Sequence, residues 1–452
     1  MDLTRREFLG ACLAASNVQP WVHAGGSSFE AGVADPVEAW RSELIARRTG
    51  RTWAAASPIG AEPDEFPWEK VGQLLRQRYR DLRRHFVFEY YPWYAAGSFR
   101  HWDQWDRVPP VDLAANTIPW LGAYDSRSAT VLEQHARWMA DAGVGVINLS
   151  WWGIGSFEDR AVPLVMDVMR AHDIRVAFHL EPYGPDRVKR LSSDLKFILT
   201  EYGEKRRWDS FFFHERANGS QGPVFKLFRT TLPQQVVDCH GVVRDVADFV
   251  PNSEWARATD QVRAMLDGTF DHVTLLSDTW DAKRAKAAGL DGIAIYDPAL
   301  EREEWLGYAV AATRHRMPFS FDVNPGLDEI GRRGLPAGSC LTPRPFLPRA
   351  SELVWSSSVG RERARQLSEQ RIDETLEWTL LLQTHPWLGN VDQGFFLVYI
   401  TSFNEWHEGS QFEPMKPRPA LTPTERAVGY HNPTNGFYRL DRLTDLLRRL
   451  GH

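Results

Sequence analysis

Near its C-terminal end the chain reads ITSFNEWHEGSQFEP over positions 400–414. Glu405 and Glu408 lie three residues apart, Trp406 and His407 separate them, and Gly409 follows. Cleavage of a glycosidic bond needs two carboxyl groups with different tasks. One holds a proton near neutral pH for the leaving oxygen; the other is ionised to accept a proton or to attack. Burial beside a ring such as Trp406 raises one pKa, and a donor such as His407 holds the other down. An isolated pair of this spacing also reads as a structural ion pair with barrel arginines. Its place directly after the apolar run FFLVYI points instead to chemistry.

A third carboxylate, Glu181, stands in HLEPY with His179 and Tyr183. Alternation along a strand puts residues 179, 181 and 183 on one face. YYPWY contributes Tyr91 and Tyr94. Of the adjacent Trp151 and Trp152, at most one faces the same way as the others, because neighbouring strand residues point to opposite faces. Aromatic planes of this kind suit a sugar, whose apolar faces stack on rings. A metal hydrolase is the main chemical rival, with His179, Glu181, Asp278, His407 and Glu408 as conceivable ligands. No HxH or HExxH spacing supports it, so no metal and no cofactor are expected. Ser402 is not in a GxSxG elbow, which argues against a serine hydrolase.

These residues must be positioned by the elements around them. From residue 86 apolar strands alternate with amphipathic helices. The strands read FVFEYYPWY (86–94), VGVINLSWW (144–152), RVAFHLEPY (175–183), VFKLF (224–228), HVTLLSDTW (272–280), GIAIYD (292–297), MPFSFDVNPG (317–326) and GFFLVYITSFNEW (394–406). Near-continuous apolar runs are what parallel strands covered on both faces look like. Eight βα units predict an α/β fold, a (β/α)8 TIM barrel, with an open doubly wound sheet as the alternative. No Gly-rich phosphate turn follows the first strand, which disfavours that alternative. In a barrel the site lies at the C-terminal ends of the strands, where the motifs above fall. The connections 95–128 and 327–360 are long, as functional loops often are.

The 452 residues carry a net charge of −6 with basic residues scattered, so no nucleic-acid partner is expected. No apolar run approaches the ~20 residues of a membrane span. Residues 1–24 form a segment of their own: Arg5 and Arg6, then Phe8 and Leu9, then a modest apolar stretch. This resembles a twin-arginine export signal and predicts a periplasmic or extracellular protein. Cys12 lies inside that stretch rather than at its end, which argues against lipidation. Residues 25–85 read as a linker with two helices, over 35–50 and 67–84, and residues 86–452 as one catalytic domain, a monomer. A Cys239–Cys340 disulfide is not favoured by the sequence.

YYPWY, LGAYDSRSATVLEQHARWMADAGVGVINLSWWG, FHLEPY and ITSFNEWHEGSQFEP resemble, in order and wording, glycoside hydrolase family 99, the endo-α-mannosidases and endo-α-mannanases. The resemblance covers about residues 86–415. It implies a metal-free barrel acting with retention on an oligosaccharide or polysaccharide. It also implies a mechanism in which the sugar's own 2-hydroxyl attacks C1 to give a 1,2-anhydro sugar. Glu405 is then the base for that hydroxyl and Glu408 the acid and base at the leaving oxygen and water. Tyr91, Tyr94, Trp151, Trp152, His179, Glu181, Tyr183, Trp406 and His407 are the expected substrate contacts. The chain departs from the family at VFKLFRTT, where a tyrosine- and aspartate-rich segment is usual, and at NPGLDEIG, where Leu327 stands in a tyrosine's place. The resemblance therefore speaks to reaction type more than to the sugar. A non-mannose polysaccharide and a non-hydrolytic glycan-binding barrel remain the alternatives.

Overall fold

The computed structural model describes residues 66–451 apart from 206, 301, 342 and 349–352. The export segment, Cys12 and the helix expected over 35–50 lie outside the described residues. Each expected strand forms: β1 (Phe86–Tyr90), β2 (Val146–Trp151), β3 (Arg175–Leu180), β5 (Gln221–Leu227), β8 (Thr274–Ser277), β9 (Gly292–Ala294), β10 (Phe319–Ser320) with β11 (Asp322–Val323), and β12 (Val398–Ile400). All pair in parallel, in the order β10-β9-β8-β5-β3-β2-β1-β12-β11. The single strand expected over 317–326 is split in two at Phe321. There the chain changes neighbour, from β9 on one side to β12 on the other, and the Phe321 ring stacks on Trp305 at 4.9 Å. Since β10 and β11 are halves of one strand, the sheet closes into a (β/α)8 barrel.

Helices α2 (Ala129–Asp141), α3 (Phe157–Ala171), α4 (Arg187–Ile198), α5 (Asn252–Leu266), α6 (Ala282–Ala287), α7 (Arg302–Arg314), α8 (Ser358–Thr384) and α9 (Tyr438–Arg449) cover the strands. The two-residue alternation assigns the faces. Phe86, Phe88 and Tyr90, like Ile147, Leu149 and Trp151, join the large core between sheet and helices. Val87, Val146, Ala177, Val224, Leu276, Ala294, Leu397 and Tyr399 form a separate cluster inside the barrel. At the N-terminal ends of the strands, Tyr79, just after α1 (Trp68–Arg78), donates from its hydroxyl to the Gly394 carbonyl at 3.3 Å.

The stretch from 204 to 250 holds what the sequence reading lacked. A short β4 (Phe213–Glu215) pairs antiparallel with β5, and β6 (Gln235–Val237) and β7 (Val243–Asp245) make an exposed hairpin. Cys239 lies between β6 and β7 and is disulfide-bonded to Cys340 of the 327–360 loop, with Cα atoms 5.5 Å apart. The pairing that the sequence did not favour therefore forms. It joins two βα loops separated by 101 residues, a proximity that only barrel closure creates.

The segment after β12 is fixed from several sides. Asn404 exchanges two hydrogen bonds with the backbone of Tyr91, at 2.8 and 2.9 Å, and so extends the edge of β1. The backbone N–H of Glu405 donates to Ser402 Oγ at 2.8 Å. Glu413 is fully buried and takes hydrogen bonds from the Tyr124 hydroxyl at 2.7 Å and the Trp406 indole at 2.9 Å. Beyond Glu408 the chain turns back through Gly409 at φ +67°. Asp328 and Ile330 donate their backbone N–H groups to the carbonyls of Glu408 and His407 at 2.8 Å each. A Cβ on Gly409 would stand 2.5 Å from the Asp328 carbonyl oxygen. Gly409→Ala should therefore cost about 2–3 kcal/mol, from left-handed strain and loss of this contact. Gly122→Ala, at φ +68° with open space around it, should cost only about 1 kcal/mol. Denaturant unfolding of the two variants compares them directly. Equal losses would show that close approach plays no part at Gly409.

Candidate active site

Glu405 and Glu408 leave the eighth strand on one turn but enter different surroundings. Glu405 is buried, and the backbone N–H of His407 donates to its Oε1 at 3.0 Å. Burial first, and then the neighbouring Glu408 carboxylate, push its pKa well above the usual carboxylate range. The backbone N–H groups of residues 407 and 408 oppose the shift. Glu408 is half-buried. Burial pushes it up to about 7, against the Arg344 charge and the Tyr296 hydroxyl, which donates to its Oε2 at 2.8 Å. Both carboxyls are thus raised. The sequence reading had one raised and one held down; the common cause is that desolvation outweighs every donor present.

Tyr296 sits just past β9. Its own backbone N–H donates to Asp278, which burial raises to about 6. Arg344 comes from the 327–360 loop and pairs with Asp297 at 3.4 Å and Glu329 at 3.6 Å. The other long loop, 95–128, brings His101 and Trp105 to His407. The His407 ring lies 4.5 Å from that of Trp105 and 5.6 Å from that of His101, which stacks on Trp93 at 4.7 Å. Four non-glycine residues of this loop, Phe99, His101, Trp105 and Asp106, have positive φ, the kind of backbone that persists where a site over-determines it. His407 Nε2 donates to the His101 carbonyl at 2.8 Å, so the neutral tautomer presents a bare Nδ1, 3.5 Å from Glu405 Oε1. Burial keeps this ring neutral by lowering its pKa to about 4.

On the facing strands, Glu181 accepts from Ser150 Oγ at 2.7 Å, and Ser150 Oγ accepts from the Trp152 indole at 3.0 Å. Burial raises the Glu181 pKa. Beneath, Glu89 is fully buried inside the barrel. It is bound by Lys226 Nζ at 2.6 Å and Asn148 Nδ2 at 2.9 Å, with His179 Nδ1 at 3.2 Å. Burial alone would raise Glu89, but the charges of Lys226 and His179 hold it down to about 2.

Not every expected contact faces the mouth. Tyr91 does, lying within electrostatic reach of Glu181, Glu405 and Glu408, and Trp152 packs with the same aromatic cluster. Trp151 points the other way, into the helix layer, where its indole donates to Asp159 at 2.7 Å. Tyr183 turns outward as well, donating to Asp194 on α4 at 2.7 Å; β3 ends at Leu180, so alternation no longer governs its direction. Tyr94 and Trp406 are fully buried supports. The Tyr94 hydroxyl bonds the Asn404 carbonyl at 3.2 Å, and Trp406 rests on Glu413. Tyr296, Arg344, His101 and Trp105 were not singled out from sequence. Tyr296 stood in the strand-end motif YDP; the other three came from the two long loops, which carried no periodic signal.

His179, Glu181, Asp278, His407 and Glu408 do not gather into a metal-type set. Among the described residues, three ligating atoms come within 4.8 Å of one another only at Cys239, His240 and Cys340, and both sulfurs there are taken by the disulfide.

The family model described as glycosyl hydrolase family 99 matches residues 81–232, the first half of the barrel. The chain is 26% identical over 414 residues to the mouse glycoprotein endo-alpha-1,2-mannosidase-like protein, covering 84% of this chain and 78% of that one. It is 24% identical over 361 residues to mouse glycoprotein endo-alpha-1,2-mannosidase, covering 73% and 67%. In fold it is similar to the GH99 endo-alpha-mannosidase from Bacteroides thetaiotaomicron, with a TM-score of 0.57 at 21% identity over 81% of this chain and 97% of that one. The matched half supplies Tyr91, Trp152 and Glu181, and the last strand supplies the carboxylate pair opposite them. Over residues 81–232 the chain is similar to glycosyl hydrolase family 99, and it is a glycosidase.

Proposed function

We propose that this glycosidase is an endo-acting α-mannosidase that works with retention through the sugar's 2-hydroxyl. The observation that carries the reading is the carboxylate pair itself. Glu405 and Glu408 share one turn, yet one is enclosed by backbone donors and the other meets a tyrosine hydroxyl and an arginine. In the first step the 2-hydroxyl oxygen attacks C1 and its proton passes to Glu405. The bond from C1 to the leaving oxygen breaks as Glu408 protonates that oxygen. In the second step water attacks C1 of the 1,2-anhydro sugar, giving its proton to Glu408, while Glu405 returns a proton to the opening ring oxygen. Two inversions give net retention. Because the nucleophile is already attached to the substrate, its effective concentration is very high, and the protein supplies only one base and one acid.

A second reading keeps this chemistry and changes the sugar. Leu327, where the family carries a tyrosine, is fully buried and bridges Leu347, so no hydroxyl from that position reaches the substrate. We also propose export by the twin-arginine route. An exposed Cys239 held in a disulfide suits an oxidising compartment.

Glu408→Gln should retain most of the first step on an α-mannobiosyl fluoride, whose leaving group needs no proton. Glu405→Gln should lose it, and each should lose about 10²–10⁴-fold on a natural glycan. Near-normal activity in both would move the chemistry elsewhere, and covalent labelling of Glu405 by a 2-fluoro substrate would make it an ordinary nucleophile.

The active form holds one proton between the two carboxyls, so kcat/KM should be bell-shaped in pH. The alkaline limb falls where Glu408, the acid, loses the proton it holds for the leaving oxygen, near its value of about 7. The Tyr296 hydrogen bond lowers that value, so Tyr296→Phe should move the limb to higher pH. An unmoved or lowered limb would break the link between Tyr296 and the acid.

For export, replacing Arg5 and Arg6 together with Lys should leave the protein in the cytoplasm. Unchanged periplasmic yield would remove the twin-arginine proposal while leaving the enzyme reading intact.

A further inference from the structure

The reaction above leaves a buried charge cluster unused. Glu89, Lys226 and His179 lie inside the barrel below the carboxylate pair, all almost wholly excluded from solvent. An ammonium and a carboxylate buried this way are costly unless the geometry is good and the remaining lone pairs are filled. Here they nearly are. Glu89 Oε1 takes Lys226 Nζ at 2.6 Å, and Oε2 takes Asn148 Nδ2 at 2.9 Å. Lys226 Nζ also lies 4.5 Å from the Tyr399 ring centre and 5.5 Å from that of Tyr296, so its desolvation is partly offset by cation–π contact. The exception is His179. Its Nδ1 is in ion-pair range of Glu89 Oε2 at 3.2 Å, and 4.0 Å from Glu181 Oε1, but neither ring nitrogen makes an aligned hydrogen bond. A buried imidazole left this way has bonding capacity for a group absent from the free protein. The ring lies between Phe228 at 5.6 Å and Tyr296 at 6.5 Å, and Tyr296 is the residue that donates to Glu408.

We propose that Glu89, clamped by Lys226 and Asn148, is a positioning residue that pairs with Nδ1 of His179 and leaves the Nε2–H to bind an oxygen of the sugar seated over the barrel. This rests on the reading that a sugar occupies the mouth. The charged groups facing the imidazole are Glu89 from β1, Glu181 beyond β3, Lys226 from β5 and Asp278 beyond β8. Burial and Lys226 disfavour a charged ring; Glu89 and Glu181 favour it and prevail, so His179 is raised above its ordinary value. The proton balance is simple. His179 gains one proton from solvent at a pH above that of a free imidazole, and gives none up in the reaction.

The test is to follow the His179 imidazole by NMR in the free enzyme and then measure kcat and KM. In the unmutated protein His179 should titrate above an ordinary histidine. Glu89→Gln alone strands the buried Lys226 charge and destabilises the fold, so the main variant is Glu89→Gln with Lys226→Met, which removes both charges. In it His179 should titrate below an ordinary histidine. KM for the glycan should rise about 10- to 100-fold, the scale of one charge-assisted hydrogen bond, with a smaller change in kcat. An unchanged His179 titration, or a loss confined to kcat, would overturn the proposal. If His179 titrates as expected but no α-mannan or related glycan is cleaved, the enzyme reading fails and the Glu89–His179 pairing stands.

Discussion

The segment that bears the two carboxylates hangs from another carboxylate that does no chemistry. Glu413 is wholly buried, and donors from three parts of the chain converge on it. The Tyr124 hydroxyl comes from the first long loop, the Trp406 indole from the turn itself, and the His135 Nε2 from α2 at 3.2 Å. His135 in turn meets the Tyr90 hydroxyl at 3.1 Å, at the end of β1. A carboxyl group so deep is costly unless its oxygens are bonded, and leaving one of its donors without it is costly too. That requirement locks the turn between Trp406 and Glu413 to the first strand and the first helix after it. The position of Glu405 and Glu408 follows from this lock more than from their own contacts.

The same logic explains why so many rings of the mouth are supports and not surfaces. Trp406, Tyr94 and Tyr124 each spend their polar atom on the loop backbone, on Asn404 or on Glu413. An indole or phenol buried at a strand end satisfies a donor and fills volume at once. The rings left for a ligand are then those whose polar atoms point into the mouth or that stand at its rim: Tyr91, Trp152, Tyr296 and the stack of Trp93, His101 and His407.

The barrel was legible because its strands are apolar on both faces and its helices amphipathic, two periods that do not imitate one another. The carboxylate pair was legible because it follows the last apolar run. Trp151 and Tyr183 show where that legibility ends. The alternation rule foresaw that only one of Trp151 and Trp152 could face inward, and it is Trp152. The rule fails at Tyr183 because Pro182 and the strand end break the period. Arg344, His101 and the Cys239–Cys340 bond lie in long loops, and their places depend on partners 47, 306 and 101 residues away in sequence. No local pattern encodes such contacts. Lys226 was read as part of a weak strand. Its role inside the barrel depends on Glu89, three strands away around the ring, which the sequence reading passed over as one letter of an aromatic run.

The charge balance of the mouth bears on why the pair can work at all. Glu181, Asp278, Asp322, Glu405 and Glu408 crowd one end of the barrel, and burial raises every one of them, Asp322 to about 7. Cations act on most of them: Arg344 on Glu408, Lys226 and His179 on Asp278, His179 and Arg187 on Glu181, and Lys226 and Arg371 on Asp322, yet burial outweighs them. Carboxyls crowded in a low-dielectric space do not ionise independently, since each added charge raises the pKa of the rest. Near neutral pH some of them must hold protons. An enzyme that needs one protonated and one ionised carboxyl within a single turn is served by that crowding. The Tyr296 hydrogen bond and the Arg344 charge both act on Glu408 and lower its pKa, and so set the pH up to which it keeps the proton that the leaving oxygen needs.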